Sequence, residues 1–240
     1  MSPRTKEQNE EIRLRRLAQI RKAAADVFLN KGPLLEIRDV AVQAGLGYGT
    51  VYHYYSNKGN LLHDLLWDAL ERAGGWLEAP RASASGEAPA GGHFGLATAA
   101  DTGNSAAADS QSGSRETAVA TELGPVAAAC IRLLQLWAED HALYLLHKLA
   151  GEGFASLPEA RSAPLSAAFR REVLAPLAAL LETGRAADGT AASGGNAAEP
   201  PYRLQRAEML LAALVGCASL SIRRGKLHEE AMDIARFLKL

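Results

Sequence analysis

The fold is decided by residues 45–58, which read GLGYGTVYHYYSNK. This stretch holds three glycines and four tyrosines, and it lies between two short apolar segments at 37–44 and 60–74. A tight glycine turn between two short helices is typical of a helix-turn-helix, since Gly45 can adopt the positive φ that the turn needs. In that motif the second helix enters the major groove of DNA. Residues 47–54 are therefore predicted to form a groove-reading helix.

The surrounding segments carry helical patterns. Residues 9–30 space their apolar side chains by three and four, at Leu17, Ile20, Ala24, Val27 and Phe28. Gly32 followed by Pro33 predicts the end of that helix. Residues 60–74 continue the pattern in a fourth helix, which Ser56 or Asn57 can cap. Strand signals are nearly absent, so the sequence predicts an all-α fold.

The rest of the chain predicts a helical body with two interruptions. Further helices are expected at 126–139, 141–149, 165–183, 202–224 and 229–240. Between 79 and 116, Ala, Gly and Ser make up 23 of 38 residues, and 183–201 is similar. Such segments bury too little apolar surface to offset the entropy of ordering them. The predicted organisation is a DNA-binding head at 1–60 and a body at 61–240, with flexible insertions at about 79–116 and 183–201.

Charge is distributed unevenly between these parts. The whole chain has a net charge of −1, but residues 1–60 hold ten Lys/Arg against six Asp/Glu. The remaining residues hold 16 basic and 21 acidic side chains. A basic head on an acidic body indicates a local nucleic-acid footprint, although a solvated helix face would look the same.

Several other classes of protein are disfavoured by the sequence. Cys130 and Cys217 lie in apolar helical patterns without metal-ligand spacing, which indicates a reduced, cytoplasmic protein without a metal site or cofactor. The polar N-terminus has no signal-peptide core, and the apolar run at 209–220 is expected to be too short for a bilayer. The six histidines form no HExxH pair, and no nucleophile elbow or phosphate loop follows a strand. The sequence therefore predicts no enzyme and no membrane protein.

Residues from Ile20 to Leu66 resemble the TetR family of bacterial transcriptional repressors. The resemblance rests on residues spread along this segment: IRKAA at 20–24, Phe28, Lys31 and Gly32, the apolar residues of 37–41, AGL at 44–46, GTVYHYY at 49–55, Lys58, and Leu61 with Leu62. The chain departs from the family pattern at three positions. Glu36 and Gly47 stand where a Thr and a Ser or Thr are usual, and Gly59 replaces an acidic residue.

The resemblance implies a set of DNA-binding residues on and around the third helix. Leu46, Val51 and Tyr55 are expected to face inward. Tyr48 and Thr50 are candidates for base edges, and Tyr52 and His53 for phosphates. The full set of candidates is Arg38, Gly47, Tyr48, Gly49, Thr50, Tyr52, His53 and Lys58.

The resemblance also implies a homodimer and an inducer pocket in the body. The last two helices would form the dimer interface, although the apolar run at 209–218 is equally that of a central core helix. A small hydrophobic inducer would bind between the body helices and shift the two heads. The candidate pocket residues, each of which can also be plain core, are Trp67, Trp76, Trp137, His141, Tyr144, Leu145, Lys148 and Phe169.

The sequence leaves the regulatory outcome open. The expected function is a repressor released from operator DNA by a small molecule. The alternative is a constitutive DNA-binding or protein-interaction regulator without an inducer, and activation is also open because the sequence does not encode where the operator lies.

Overall fold

The computed structural model describes residues 5–74, Trp76, 124–187 and 200–240. Within these ranges every regular element is helical, which confirms the predicted all-α fold. The elements, in chain order, are α1 (Lys6–Lys31), a 3-10 turn (Gly32–Leu34), α2 (Ile37–Gln43), α3 (Tyr48–Tyr54), α4 (Lys58–Ala73), α5 (Pro125–Glu139), α6 (His141–Gly151), α7 (Glu159–Phe169), a π-helical turn (Arg170–Leu174), α8 (Ala175–Ala187), α9 (Pro200–Arg223) and α10 (Leu227–Phe237).

Local capping explains where the head helices begin. The Thr5 hydroxyl accepts from Gln8 N–H at 3.3 Å while Gln8 Oε1 accepts from Thr5 N–H at 3.1 Å, so α1 starts at a capping box. The α4 helix is capped by Asn57, whose Oδ1 accepts from Asn60 N–H at 2.9 Å. Ser56 and Asn57 were both predicted as possible N-cap residues of α4, and Asn57 is the one that caps it.

Two predicted boundaries in the body differ from the structure. The helix predicted at 165–183 begins earlier, because α7 starts at Glu159 and includes Pro164. The chain then continues through the π-helical turn into α8, which extends to Ala187. The second predicted insertion was therefore too wide at both edges, since α9 begins at Pro200. Residues 188–199 and the predicted insertion at 79–116 lie outside the described residues.

One helix, α6, lies at the centre of the body. It packs against α1 and α4 on one side and against α5 and α9 on the other. Leu145 and Leu146 on α6 are 1% and 0% exposed. Close packing also joins α8 to α5, because a Cβ added at Gly184 would lie 2.9 Å from Val126 Cγ2. Only glycine allows that approach without a shift of the neighbouring side chain.

The head and the body share one continuous core. Apolar residues of α1, α2, α3 and α4 belong to the same buried cluster as those of α5 to α10. Both cysteines are free, with Cys130 buried on α5 and Cys217 half-buried on α9. Burial raises the pKa of the Cys130 thiol to about 12.

Helix α9 extends on both sides of the apolar run at 209–220 that was expected to be too short for a bilayer. Over Tyr202–Arg223 it has the length and composition of a membrane span, with a mean hydropathy of 1.2. Core helices of soluble proteins share these properties, so composition alone is weak evidence for a membrane. Here α9 packs against α5, α6, α8 and α10.

Candidate nucleic-acid interface

The turn between α2 and α3 has the geometry that the sequence predicted. Gly45 has φ +63°, a conformation that costs glycine little. Leu46 N–H donates to Ala41 O at 3.0 Å, and Gln19 Nε2 of α1 donates to Ala44 O at 2.7 Å. The turn is thus tied to α2 and to α1, which fixes the direction in which α3 leaves it.

Helix α3 has one buried and one exposed face. Val51 and Tyr55 are 0% and 3% exposed and anchor the helix to the core of the head, with Leu46 half-buried beside them. Tyr48 and Tyr52 are 51% and 49% exposed, and their ring centroids lie 5.7 Å apart. Large aromatic side chains at this exposure form a surface that a partner can contact.

The small residues of α3 leave its outer face open. Gly47 is the N-cap residue, in extended backbone with no side-chain cap. Gly49 is exposed, and a Cβ added there would meet no atom within 4 Å. Thr50 is half-buried, and His53 is exposed at the C-terminal end, with its ring 5.6 Å from that of Tyr54. The fold itself therefore does not require glycine at position 49.

A cleft of about 330 Å³ opens between the start of α2, helix α3 and the start of α4. Its polar rim brings together four predicted DNA-binding residues, Arg38, Tyr48, Tyr52 and Lys58, with Glu36 and Ser56. Lys58 Nζ donates to Pro33 O at 2.8 Å, which holds the ammonium group at the edge of this cleft. An ammonium group has three donors, so two remain for another acceptor. Glu36 places a carboxylate in the same cleft.

A second cleft of about 330 Å³ lies between α1, the end of α3 and α4. Its lining residues are Arg13, Leu17, Arg21, His53, Tyr54, Tyr55 and Asp64. Burial, with Asp64 nearby, raises the pKa of Tyr55 to about 12, so its hydroxyl is neutral at pH 7. This cleft was not predicted, because the convergence of Arg13 with His53 depends on how α1 crosses α3.

Five of the predicted pocket residues are buried. Each is 5% exposed or less, and they are Trp76, Trp137, Tyr144, Leu145 and Phe169. The Trp137 ring lies 5.6 Å from that of Tyr144. Trp67 and His141 make polar contacts instead: Trp67 Nε1 donates to His63 Nε2 at 3.0 Å, and His141 Nδ1 lies 2.6 Å from Asp26 Oδ1 of α1.

The centre of this aromatic cluster is His147, which the sequence reading did not select. Its ring lies 5.1 Å from that of Trp137 and 5.5 Å from that of Phe169. Nδ1 lies 2.7 Å from Leu143 O. Burial lowers the pKa of His147 to about 4, so the imidazole is neutral at pH 7. Its position four residues after Leu143 on an apolar helix was the only signal available in the sequence.

The described residues form a three-helix helix-turn-helix head on a helical body. Residues 20–65 match the family model described as bacterial regulatory proteins, tetR family. The head therefore contains the N-terminal domain of the TetR family, which confirms the resemblance of residues 20–66. None of the curated proteins compared with the chain matches it.

Solved structures of regulators resemble the whole chain weakly. FadR of Bacillus subtilis, in complex with stearoyl-CoA, is 18% identical over 92% of this chain and 96% of that chain, with a TM-score of 0.48. FadR of Bacillus halodurans is 16% identical over the same shares, also with a TM-score of 0.48. A gamma-butyrolactone receptor, an ArpA-like protein, is 16% identical over 95% of this chain and 98% of that chain, with a TM-score of 0.45. These values identify no ligand for this chain.

Proposed function

We propose that the protein is a dimeric repressor that binds operator DNA through α3 and leaves it when a small apolar molecule binds the body. The DNA-binding site is inferred from the division of α3 into a buried face and an exposed face. Val51 and Tyr55 are buried behind a face on which Tyr48 and Tyr52 are half exposed. A helix held this way presents its outer residues to a major groove.

The two clefts beside α3 suit the two phosphate strands that border a major groove. On one side, Arg38, Tyr52 and Lys58 supply donors, and on the other Arg13 and His53 do so. Tyr48, at the edge of the first cleft, and Thr50 are the candidates for base edges. Phosphate contacts fix the register of the head on DNA, and base contacts select the sequence.

Glycine at position 49 fits this arrangement. Because a Cβ there would meet only open space, the residue is not explained by packing inside the protein. A glycine on the outer face of a reading helix lets the backbone approach the DNA closely. Gly47 at the N-cap has the same effect two residues earlier.

A homodimer is supported by an apolar stripe on α9. Met209 and Leu220 are 66% and 69% exposed. Ala212 and Gly216 are exposed between them at helical spacing, so one face of α9 is apolar with small residues at its centre. Phe237 on the adjoining helix α10 is 78% exposed. A second copy of the chain would cover these side chains and pair the two heads for a two-fold operator.

The inducer site is proposed at the aromatic cluster of α5, α6 and α7. Trp137, Tyr144, Phe169 and Leu145 supply an apolar surface suited to a hydrophobic molecule. Helix α6 carries two of these residues and also packs on α1 and α4. A ligand that displaces α6 therefore has a direct path to the head. A constitutive regulator without an inducer is the alternative, and it shares the head described above.

The DNA-binding proposal is tested by selecting bound fragments from the source genome with the purified protein. The salt dependence of binding to the selected operator is then compared between the native protein and Lys58→Ala. Each phosphate contact contributes about 0.9 to the slope of log K against log salt, so losing one contact per head should lower a dimer's slope by about 2. Lys239→Ala, at the exposed C-terminal end, is the matched control. An unchanged slope in Lys58→Ala would show that Lys58 contacts no phosphate.

The dimer and inducer proposals have separate tests. Sedimentation of Leu220→Asp should give a monomer where the native protein gives a dimer, because two buried carboxylates would face each other across the stripe. Release of the selected operator by apolar compounds distinguishes the inducible repressor from the constitutive alternative. A native protein that sediments as a monomer at micromolar concentration contradicts the proposed interface.

A further inference from the structure

Two consecutive residues at the start of α6 hold the head by two separate polar routes. These residues, Asp140 and His141, are here called the corner pair, because they lie at the corner between α5 and α6. Asp140 contacts Arg72 at the end of α4, and His141 contacts Asp26 on α1. Asp26 lies on α1, which packs against α2 and bonds the turn before α3 through Gln19, and Arg72 lies on α4, which packs against α1.

The first route runs from α6 through α4 to α1. Asp140 Oδ1 caps α6 by accepting from Ala142 N–H at 2.9 Å. Its other oxygen accepts from Arg72 Nε at 2.9 Å and lies 2.8 Å from Arg72 Nη2. Arg72 also bonds Asp68, whose Oδ1 lies 2.8 Å from Arg21 Nη2 on α1. One carboxylate thus caps a body helix and begins a chain of charges that ends in the head.

The second route is direct. His141 Nδ1 lies 2.6 Å from Asp26 Oδ1, and both side chains are about two thirds buried, with 35% and 27% exposed. Gln43 Nε2 of α2 lies 3.5 Å from the other Asp26 oxygen, at the limit of a hydrogen bond. Asp26 therefore contacts His141 of the body and Gln43 of α2, the helix that precedes the turn before α3.

The two routes together define one orientation. Asp140 is the N-cap residue of α6, in extended backbone, and His141 is the first helical residue, and the two contact different helices, α4 and α1. A rotation or slide of α6 that keeps one of the contacts therefore lengthens the other. Exposed ion pairs on one helix, such as Arg15 with Glu11, connect no separate elements and contribute little.

We propose that the corner pair sets the angle of the head on the body, with Asp140 and His141 acting as positioning residues for DNA binding. This inference rests on the proposed function and names how that site is regulated. Movement of the first turn of α6 breaks the contact with α4 or the contact with α1, and the heads lose their common spacing. Tyr144 and Leu145 of the aromatic cluster lie on the same helix, so an occupant of the cluster acts on the corner pair through α6.

The test measures the head-to-body distance without DNA. Spin labels are placed on exposed positions of the head and body, by Val42→Cys and Arg171→Cys, in a chain carrying Cys217→Ser. Labelled chains are diluted with unlabelled ones so that distances within one chain dominate. Distance distributions are recorded for His141→Ala and for Asp140→Ser, which keeps a capping oxygen but loses the carboxylate. Glu11→Ala, which breaks the exposed pair with Arg15, is the matched control.

We expect both corner variants to broaden or shift the distribution, and the control to leave it unchanged. The exchanged pair Asp26→His with His141→Asp should restore the native distribution. Operator affinity should fall by roughly fivefold or more in the single variants and recover in the exchanged pair, since couplings between sites are typically of this size.

The proposal is overturned if both corner variants retain the native distribution. It is also overturned if the exchanged pair is as broad as His141→Ala, because the contact would then not be the cause. If Asp140→Ser does not fold, Arg72→Gln is measured in its place, because it breaks the first route from the α4 side. Because the spin-label measurement uses no DNA, its result stands even if the protein binds no operator.

Discussion

Gly49→Ala should make the protein more stable and a weaker DNA binder at the same time. Position 49 is inside α3, and an added Cβ would meet no atom within 4 Å. Alanine in a helix interior is favoured over glycine by about 0.5–1 kcal/mol. The substitution should therefore raise the free energy of unfolding by about that amount, provided that nothing inside the protein opposes it.

The same methyl group would stand on the face proposed to enter the groove. There it would hold the backbone away from the base pairs and weaken the contacts made by Tyr48 and Thr50. Losing one good base contact costs about 1–3 kcal/mol, so operator affinity should fall at least fivefold per head. Binding to unrelated DNA, which depends on phosphate contacts, should change much less.

The assay combines urea unfolding with binding to the selected operator and to unrelated DNA of equal length. Gly151→Ala is the matched control, because Gly151 is an exposed helical glycine of the body with the same open surroundings. It should give a comparable or smaller gain in stability and native DNA binding. Native operator affinity in Gly49→Ala would refute the assignment of this face to the groove. A loss of stability would refute the reading that the position is free of internal contacts.

Three further results are expected. Glu36→Gln should tighten DNA binding by roughly twofold per head at low salt, because a carboxylate about 8 Å from a phosphate costs about 0.5 kcal/mol in water; weaker binding would mean that Glu36 accepts a hydrogen bond from DNA. Tyr52→Phe should weaken binding to all sequences alike, by about 1 kcal/mol in competition assays; a change in sequence preference would instead make Tyr52 a base reader. His147 has a folded pKa of about 4, below its unfolded value, so the unfolded chain binds the extra proton and stability falls as the pH drops through about 6.5 towards 4. The free energy of unfolding is measured with urea at pH 7 and pH 5. Its fall between the two pH values should be about 2 kcal/mol smaller in His147→Phe than in the native protein. An equal fall would mean that His147 is not buried as a neutral ring.

The head could be predicted from sequence almost residue by residue. Each of its helices is bounded by a local signal, such as Gly45 at the turn or Asn57 before α4. Such signals act within a few residues and do not depend on distant packing. The buried face of α3 followed from the spacing of Val51 and Tyr55.

The body was predicted less well for physical reasons. Pro164 reads as a helix start, because proline is favoured in a first turn, yet α7 begins at Glu159 and accommodates it. The meeting of His141 with Asp26 joins residues 115 positions apart, which no local pattern reports. The same holds for the second cleft, where side chains of three helices converge.

The two cysteines differ in the reactivity of their thiols, and this difference can be used to detect dimer formation. Only thiolates react readily with alkylating reagents, and Cys130 is fully buried with its pKa raised to about 12. Cys217 is half-buried beside Gly216 on the apolar stripe of α9. A maleimide added to the native chain should therefore modify one thiol per subunit, and slow modification at high protein concentration would register subunit pairing without any engineered probe.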